Sequence, residues 1–124
     1  QDDFDMVVLP GGMPGAQHLR DDARIMALLQ KMAAAGRYTA AICAAPTVLA
    51  AAGLLSGKTA TGYPGFLEKM QLPDVALSTD AVVHDGRVIT SRGPGTAMDF
   101  ALSLVEVLSG PEVRRQIEAA LVRA

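Results

Sequence analysis

The residue best suited to nucleophilic chemistry is Cys43, the only cysteine among 124 residues. Small and apolar residues lead into it, and a compact segment of helix formers follows from Pro46. This pattern predicts a buried strand that turns abruptly into a helix at the thiol, which is how a nucleophile elbow is built. The unpaired N–H groups and the dipole at a helix start stabilise a thiolate against a thiol. A lone cysteine is also common as a small buried hydrophobe, and the spacing alone favours that alternative.

Two further loops with chemical potential directly follow predicted strands. In a doubly wound sheet the ligand crevice lies beyond the carboxyl ends of the strands, so the Gly11-Gly12 turn, Cys43 and the Arg92 loop should converge. Paired glycines bring bare backbone N–H groups close to a reacting oxygen, and the N–H of Ala44 would lie beside the thiol. A tight turn without catalytic role is the alternative for the glycines. Arg92 either holds an anion or carboxylate or serves as an ion-pair anchor.

The elements that must position these residues alternate between strand and helix. Apolar runs predict strands at residues 6–9, 38–42 and 58–61, and helical spacing predicts helices at 21–35, 46–52 and 112–122, with a short helix or turn at 64–70. Asp85-Gly86 between two β-prone runs predicts a hairpin near residues 81–91. Thr96 and Asp99 have the spacing of a capping box. The pattern indicates a single α/β domain with a mostly parallel sheet and helices on both faces.

Inward faces are predicted for the last two helices from their 3.6-residue period. The helix after Thr96 should bury Ala97, Phe100, Ala101, Leu104, Val105 and Leu108, and the final helix should bury Val113, Ile117 and Leu121.

Composition narrows the class of protein. Half of the 124 residues are apolar, which is enough for the core of one compact domain. The net charge is −2, so the chain has no basic surface of the kind that binds nucleic acid. No run approaches the roughly 18 apolar residues of a membrane span, and one cysteine forms no internal disulfide. We therefore expect a soluble protein of the cytoplasm. Because the strand at residues 6–9 starts so early, we also expect an upstream segment, removed or present as a separate chain.

Four strings of the chain resemble the ThiJ/PfpI superfamily: FDMVVLPGG at residues 4–12, GAQ at 15–17, AICAAPT at 41–47 and TSRGPGT at 90–96. More narrowly, they resemble the branch of the parkinsonism-associated protein deglycase and the bacterial ThiJ-type chaperones. The strings span the whole chain in the family's order. The resemblance implies a flavodoxin-like fold and reverses the interpretation of Cys43 as inert.

Roles for individual residues follow from this resemblance. Cys43 aligns with the family's reactive, oxidation-sensitive cysteine, and Gly12 and Ala44 fall on the backbone donors of its oxyanion site. The family's glutamate, hydrogen-bonded to the thiol, would lie upstream of Gln1. Residues 1–124 would thus form the C-terminal part of the domain, with the glutamate and the N-terminal strands supplied by the upstream segment. Family members are mostly homodimers, and no metal or cofactor is implied.

The sequence departs from the family at the position after the third strand. The human relative has a histidine there, and this chain has Tyr63. A phenol is a poor base at neutral pH and a reasonable hydrogen-bond donor, so Tyr63 should shape the pocket, with core packing as the alternative. His18 and His84 both suit solvated positions. Ala44 after the cysteine, and the absence of a late His-x-Glu pair, argue against a protease or an amidotransferase.

Three hypotheses remain open at this point. The first is a cysteine-dependent enzyme that converts 2-oxoaldehydes such as methylglyoxal to hydroxy acids without glutathione, or hydrolyses their early adducts on proteins and nucleotides. The second is a redox-responsive chaperone whose Cys43 is oxidised to sulfinic acid. The third is a purely structural domain, which an unstrained backbone at Cys43 would favour.

Overall fold

The computed structural model describes residues 4–11 and 15–120, with side chains from residue 18 onward in the second range. Its strands are β1 (Met6–Leu9), β2 (Tyr38–Ile42), β3 (Thr59–Ala60), β4 (Ala76–Leu77), β5 (Val82–Asp85) and β6 (Val88–Ser91). Its helices are α1 (Gly15–Arg20), α2 (Ala23–Ala34), α3 (Pro46–Ala51), α4 (Phe66–Lys69), α5 (Ala97–Ser109) and α6 (Pro111–Ala120), and a 3-10 turn (Pro94–Thr96) precedes α5.

Four strands form one mixed sheet in the order β1-β2-β6-β5. β1 pairs with β2 and β2 with β6 in parallel, while β5 runs antiparallel to β6. The register sets Leu9 beside Ala41 and Ile42 beside Ser91, so the three parallel strands end at the same edge. β3 and β4 form a separate parallel pair. The predicted α/β architecture with a mostly parallel sheet is confirmed.

Helices cover both faces of this sheet because neighbouring residues of a strand point to opposite sides. Ala41 belongs to a core cluster with Leu29 of α2 and Leu49 of α3, whereas Ala40 packs with Ile89 and Phe100 on the side of α5. Alanine at both central positions of β2 leaves room for these larger side chains. β2 is therefore buried on both faces, as its continuous apolar run predicts.

Helix α2 begins two residues later than predicted because an acidic residue caps it. The carboxylate of Asp22 accepts the N–H of Arg24 at 2.8 Å, and Asp22 has the extended backbone of an N-cap. Hydrogen bonds from the Arg24 side chain and backbone lower the pKa of the Asp22 carboxyl. Past the end of the helix, Gly36 adopts φ +73°, which terminates α2 as expected.

The hairpin exists, but its turn lies one residue later than predicted. Asp85 pairs with Val88 inside the ladder, so the two loop residues are Gly86 and Arg87. The side chain of Asp85 explains the shift, because its carboxylate accepts the N–H of Thr59 at 2.7 Å and holds Asp85 in the strand. Gly86 then supplies the positive φ, +63°, that the turn requires.

The inward face predicted for α5 is wrong in part. Phe100 and Leu104 pack on the sheet as predicted, together with Val107, but Ala97, Ala101 and Leu108 are exposed. Helix α5 itself has apolar residues on nearly every side, so the 3.6-residue period of its sequence does not select one inward face. Nor is the capping box formed, since the side chain of Thr96 makes no cap hydrogen bond to the helix.

The prediction for α6 is also wrong. Val113 and Ile117 are 36% and 39% exposed, and no residue of α6 is buried; Leu121 lies outside the described residues. Part of the contact with α5 is ionic, since Arg114 pairs with Glu106 at 2.8 Å. In the portions of the chain given above, no helix has the length and apolarity needed to cross a membrane.

Candidate active site around Cys43

Cys43 follows β2 directly and has a strained backbone. Its φ of +66° lies in the left-handed region, which costs a residue with a side chain on the order of 1–3 kcal/mol. The N–H of Cys43 donates to the carbonyl of Ser91 at 3.1 Å, and its carbonyl accepts the N–H of Tyr63 at 2.8 Å. These two hydrogen bonds hold the peptide groups on both sides of the strained residue. The side chain is half-buried, with the thiol free of any disulfide.

The first glycine loop lies against the cysteine, as predicted. A Cβ built on Gly11 would stand 3.3 Å from the Cys43 Sγ and 2.9 Å from the carbonyl oxygen of Ile42, and it would overlap the Cys43 Cβ. Only a glycine permits this approach of the backbone to the thiol. Gly12, the second glycine, lies outside the described residues.

Ala44 lies directly after the thiol and is buried. Its carbonyl accepts the Thr47 hydroxyl at 2.6 Å and the Thr47 N–H at 3.2 Å, which fixes the turn into α3. Within residues 4–11 and 15–120, no hydrogen bond occupies the Ala44 N–H. Ala44 therefore has the free backbone donor that an oxyanion site needs.

The loop of Arg92 meets the loop of Tyr63 beside the cysteine. A Cβ on Gly93 would stand 3.2 Å from Cδ1 of Tyr63, and the Tyr63 ring packs edge-on against Phe66 at 5.9 Å. Tyr63 is 46% exposed, so the core-packing alternative does not describe it. The half-buried Arg92 follows Ser91, the residue whose carbonyl binds the Cys43 N–H. The structure thus brings together Gly11, Cys43, Ala44, Tyr63 and the Arg92 loop, four segments distant in sequence.

Sequence reasoning missed a pair of hydroxyls that orders the Arg92 loop. Ser91, fully buried, donates its proton to the carbonyl of Ala81 at 2.6 Å and lies 2.7 Å from the Thr96 hydroxyl. Thr96 also accepts the N–H of Gly93 at 3.0 Å. Its own proton has two acceptors, the Ser91 hydroxyl and the Gly93 carbonyl. The sequence feature that could have indicated this contact is a serine and a threonine on either side of a Gly-Pro-Gly turn.

The two histidines are both at the surface, and His84 lies away from this arrangement. His18 and His84 are both exposed, and the His84 ring contacts the carbonyl of Gly86 at 2.9 Å in the hairpin turn. That turn is at the opposite edge of the sheet from Cys43. Over the part of the chain that the structure describes, no three His, Cys, Asp or Glu residues cluster closely enough to hold a metal ion.

A half-buried cysteine on a strained strand-to-helix turn of a mostly parallel α/β sheet defines a class of protein. The chain belongs to the DJ-1/PfpI family, whose model matches residues 1–107. It is 45% identical over 123 residues to the zebrafish "Parkinson disease protein 7 homolog", covering 98% of this chain and 65% of that protein. It is 43% identical over 109 residues to the Caenorhabditis elegans "Glutathione-independent glyoxalase DJR-1.2", covering 88% of this chain and 58% of that protein.

A solved structure is similar to this chain in both sequence and fold. The crystal structure of Drosophila melanogaster DJ-1beta superimposes with a TM-score of 0.90 at 46% identity, covering 99% of this chain and 66% of that one. The chain therefore spans less than two thirds of the length of these three relatives.

Replacing Gly11 with alanine should disturb the cysteine directly. Because the added methyl group would overlap the Cys43 side chain, we expect a loss of about 1–3 kcal/mol in the free energy of unfolding. Alkylation of Cys43 by iodoacetamide should slow as well. The matched control is Gly95→Ala, since a Cβ on Gly95 meets nothing within 4 Å. Equal denaturation midpoints and equal alkylation rates for the two variants would contradict this account.

Replacing Thr96 with valine should release the Arg92 loop. Valine keeps the shape but leaves the Gly93 N–H without its acceptor, which costs roughly 1–3 kcal/mol, while the Ser91 hydroxyl keeps only its bond to the Ala81 carbonyl. Gly93 packs against the Tyr63 ring, and Tyr63 binds the Cys43 carbonyl, so a loosened loop should leave the thiol more accessible. We therefore expect faster alkylation of Cys43, measured by mass spectrometry over time. Thr96→Ser keeps the hydroxyl and should react at the original rate. If serine and valine behave alike, the hydroxyl has no such role.

Proposed function

We propose that this chain carries the reactive-cysteine part of a glutathione-independent glyoxalase or deglycase-type enzyme that acts on 2-oxoaldehydes. The observation that carries the proposal is the left-handed backbone of Cys43, with the Gly11 backbone against its Sγ. Such strain persists only where surrounding contacts hold it, and it clusters at functional sites. The similarity to a relative named as a glyoxalase supports the same reaction class.

The proposed reaction starts with addition of the Cys43 thiolate to the aldehyde carbon of the substrate. A carbon–sulfur bond forms, and the carbonyl electron pair moves to oxygen, which becomes an oxyanion. The N–H groups of Ala44 and Gly12, with Gly11 shaping the approach, would stabilise that charge. A proton then moves from the aldehyde carbon to the neighbouring carbon, and water hydrolyses the resulting thioester to release the hydroxy acid and the thiolate.

Two side chains would shape the pocket around this chemistry. The backbone N–H of Tyr63 binds the Cys43 carbonyl and its side chain is exposed, so the phenol would be available to donate a hydrogen bond to the substrate. The half-buried Arg92 is suited to the carboxylate of the product or the charge of a glycated adduct.

The proton shuttle requires a group that these residues do not supply. We propose that a glutamate from an N-terminal segment of the same protein performs it, because the relatives extend well beyond the matched part. Residues 1–124 would then be the C-terminal part of one ThiJ/PfpI-like domain, in a cytoplasmic protein that forms a homodimer. Its partners would be a small aldehyde or a glycated substrate and that N-terminal segment.

The test is release of lactate from methylglyoxal by the complete protein. Cys43→Ala should reduce lactate formation to the uncatalysed level, because it removes the proposed nucleophile. Ser56→Ala, which changes an exposed serine whose hydroxyl donates to Asp74, should retain full activity, and thermal unfolding should verify that both variants fold. Undiminished turnover in Cys43→Ala would end the proposal.

A second candidate is a redox-responsive chaperone, favoured by the half-exposed thiol beside the unoccupied Ala44 N–H. Peroxide would transfer one oxygen to the thiolate and leave as water, and a second equivalent would give the sulfinate, whose oxygens the same N–H groups would bind. Mass spectrometry after mild peroxide treatment should find two added oxygens on Cys43 with the fold intact. A thiol that resists oxidation would exclude this candidate.

A further inference from the structure

The Tyr63 ring connects the two loops that bind the Cys43 backbone. Its own loop binds the Cys43 carbonyl through the Tyr63 N–H at 2.8 Å. The other loop binds the Cys43 N–H through the Ser91 carbonyl at 3.1 Å. Two residues after Ser91, a Cβ on Gly93 would stand 3.2 Å from Cδ1 and 3.7 Å from Cε1 of the Tyr63 ring. The ring therefore contacts both segments that hold the strained cysteine.

This ring is held in place and is still open to solvent. It approaches the backbone of Gly93 and packs edge-on against the Phe66 ring, with 5.9 Å between the ring centres. Gly93 is buried and has an extended backbone, so what its lack of a side chain provides is room for the ring. Even so, Tyr63 is 46% exposed. An ordered aromatic surface is thus presented to solvent next to the loops of the nucleophile.

A ring held in this way favours the binding of another flat apolar group. Aromatic pairs are more favourable than their buried area alone accounts for. A side chain that is already ordered also loses less entropy when a ligand packs on it, and tyrosine has only two torsions to fix. Because a phenyl group covers more of this surface than a methyl group does, a substrate that carries a phenyl group gains more from the contact.

We propose that Tyr63 selects, for the Cys43 site, 2-oxoaldehydes that carry an aromatic group on the ketone carbon. This inference rests on the proposed glyoxalase-type function and specifies its substrate class. The Cys43 thiolate attacks the aldehyde carbon while the aromatic group packs on the Tyr63 ring. Phenylglyoxal then takes up one water and becomes mandelate, its aldehyde carbon oxidised to a carboxylate and its ketone carbon reduced to an alcohol. The selection comes from the ring, so it does not need the phenol hydroxyl.

The first measurement is turnover by the complete protein, as initial rates of mandelate and lactate formation. Tyr63→Ala should lower the ratio of kcat/KM for phenylglyoxal to that for methylglyoxal about fivefold, as expected for loss of an aromatic pair. Tyr63→Phe keeps the ring and should keep the ratio. Leu108→Ala is the matched control, because Leu108 is 53% exposed and lines the same cavity as Tyr38, where β2 begins. An unchanged ratio in Tyr63→Ala, or an equal loss in Tyr63→Phe, would overturn the proposal.

The second measurement separates this selection from the glyoxalase function, because it needs no turnover. The alkylation rate of Cys43 by iodoacetanilide, which carries a phenyl group, is divided by its rate with iodoacetamide, and both are followed on the Cys43 peptide by mass spectrometry. This quotient should be about fivefold higher in the wild type than in Tyr63→Ala. If that difference is found but neither aldehyde is turned over, the proposed function fails and the aromatic selection at Cys43 stands. If both aldehydes are turned over and Tyr63→Ala changes neither ratio, the function stands and the selection by Tyr63 is wrong.

Discussion

The site depends on the two hydrogen bonds that hold the Cys43 peptide groups in the left-handed region. One comes from the Cys43 N–H to Ser91 at the end of β6, and the other runs from the Tyr63 N–H to the Cys43 carbonyl. Each joins the cysteine to a segment distant in sequence, so the conformation is stable only in the folded sheet. The backbone strain, on the order of 1–3 kcal/mol, is offset by these bonds and by burial around them.

The parallel sheet explains why these segments meet. Because β1, β2 and β6 run in the same direction in a register that aligns Leu9, Ala41 and Thr90, the residues after them emerge at the same edge. Gly11, Cys43 and Arg92 each follow one of those strands within two residues. The antiparallel β5 runs the other way, from Val82 beside Ser91 to Asp85 beside Val88.

The accuracy with which the sequence predicts element bounds and buried faces differs from one element to the next. Strands β1 and β2 were predicted to the residue, because short apolar runs flanked by turn residues leave few alternatives. The inward face of α5 was not, since leucine, valine and alanine occupy nearly every side of that helix and tertiary packing decides. The hairpin turn moved by one residue because the Asp85 side chain found a partner, the Thr59 N–H, far away in sequence.

Within the site, residue types predicted which loops converge but not how they are held together. The approach of Gly11 to the thiol follows from strand order, whereas the Ser91–Thr96 hydroxyl contact depends on side-chain directions that no periodicity encodes. The exposure of Tyr63 depends on the same packing, which brings Gly93 against its ring.

Helix α3 has only six residues, fewer than the roughly 12–15 that an isolated helix needs to be even marginally stable in water. Its first four residues, Pro46 to Leu49, are all buried, so core packing holds it rather than its own hydrogen bonds. The turn at Cys43 is therefore not a separately melting unit. We expect slow hydrogen exchange for the amides of Val48 and Leu49, governed by global unfolding, and the thiol then serves as a reporter of the whole domain's integrity.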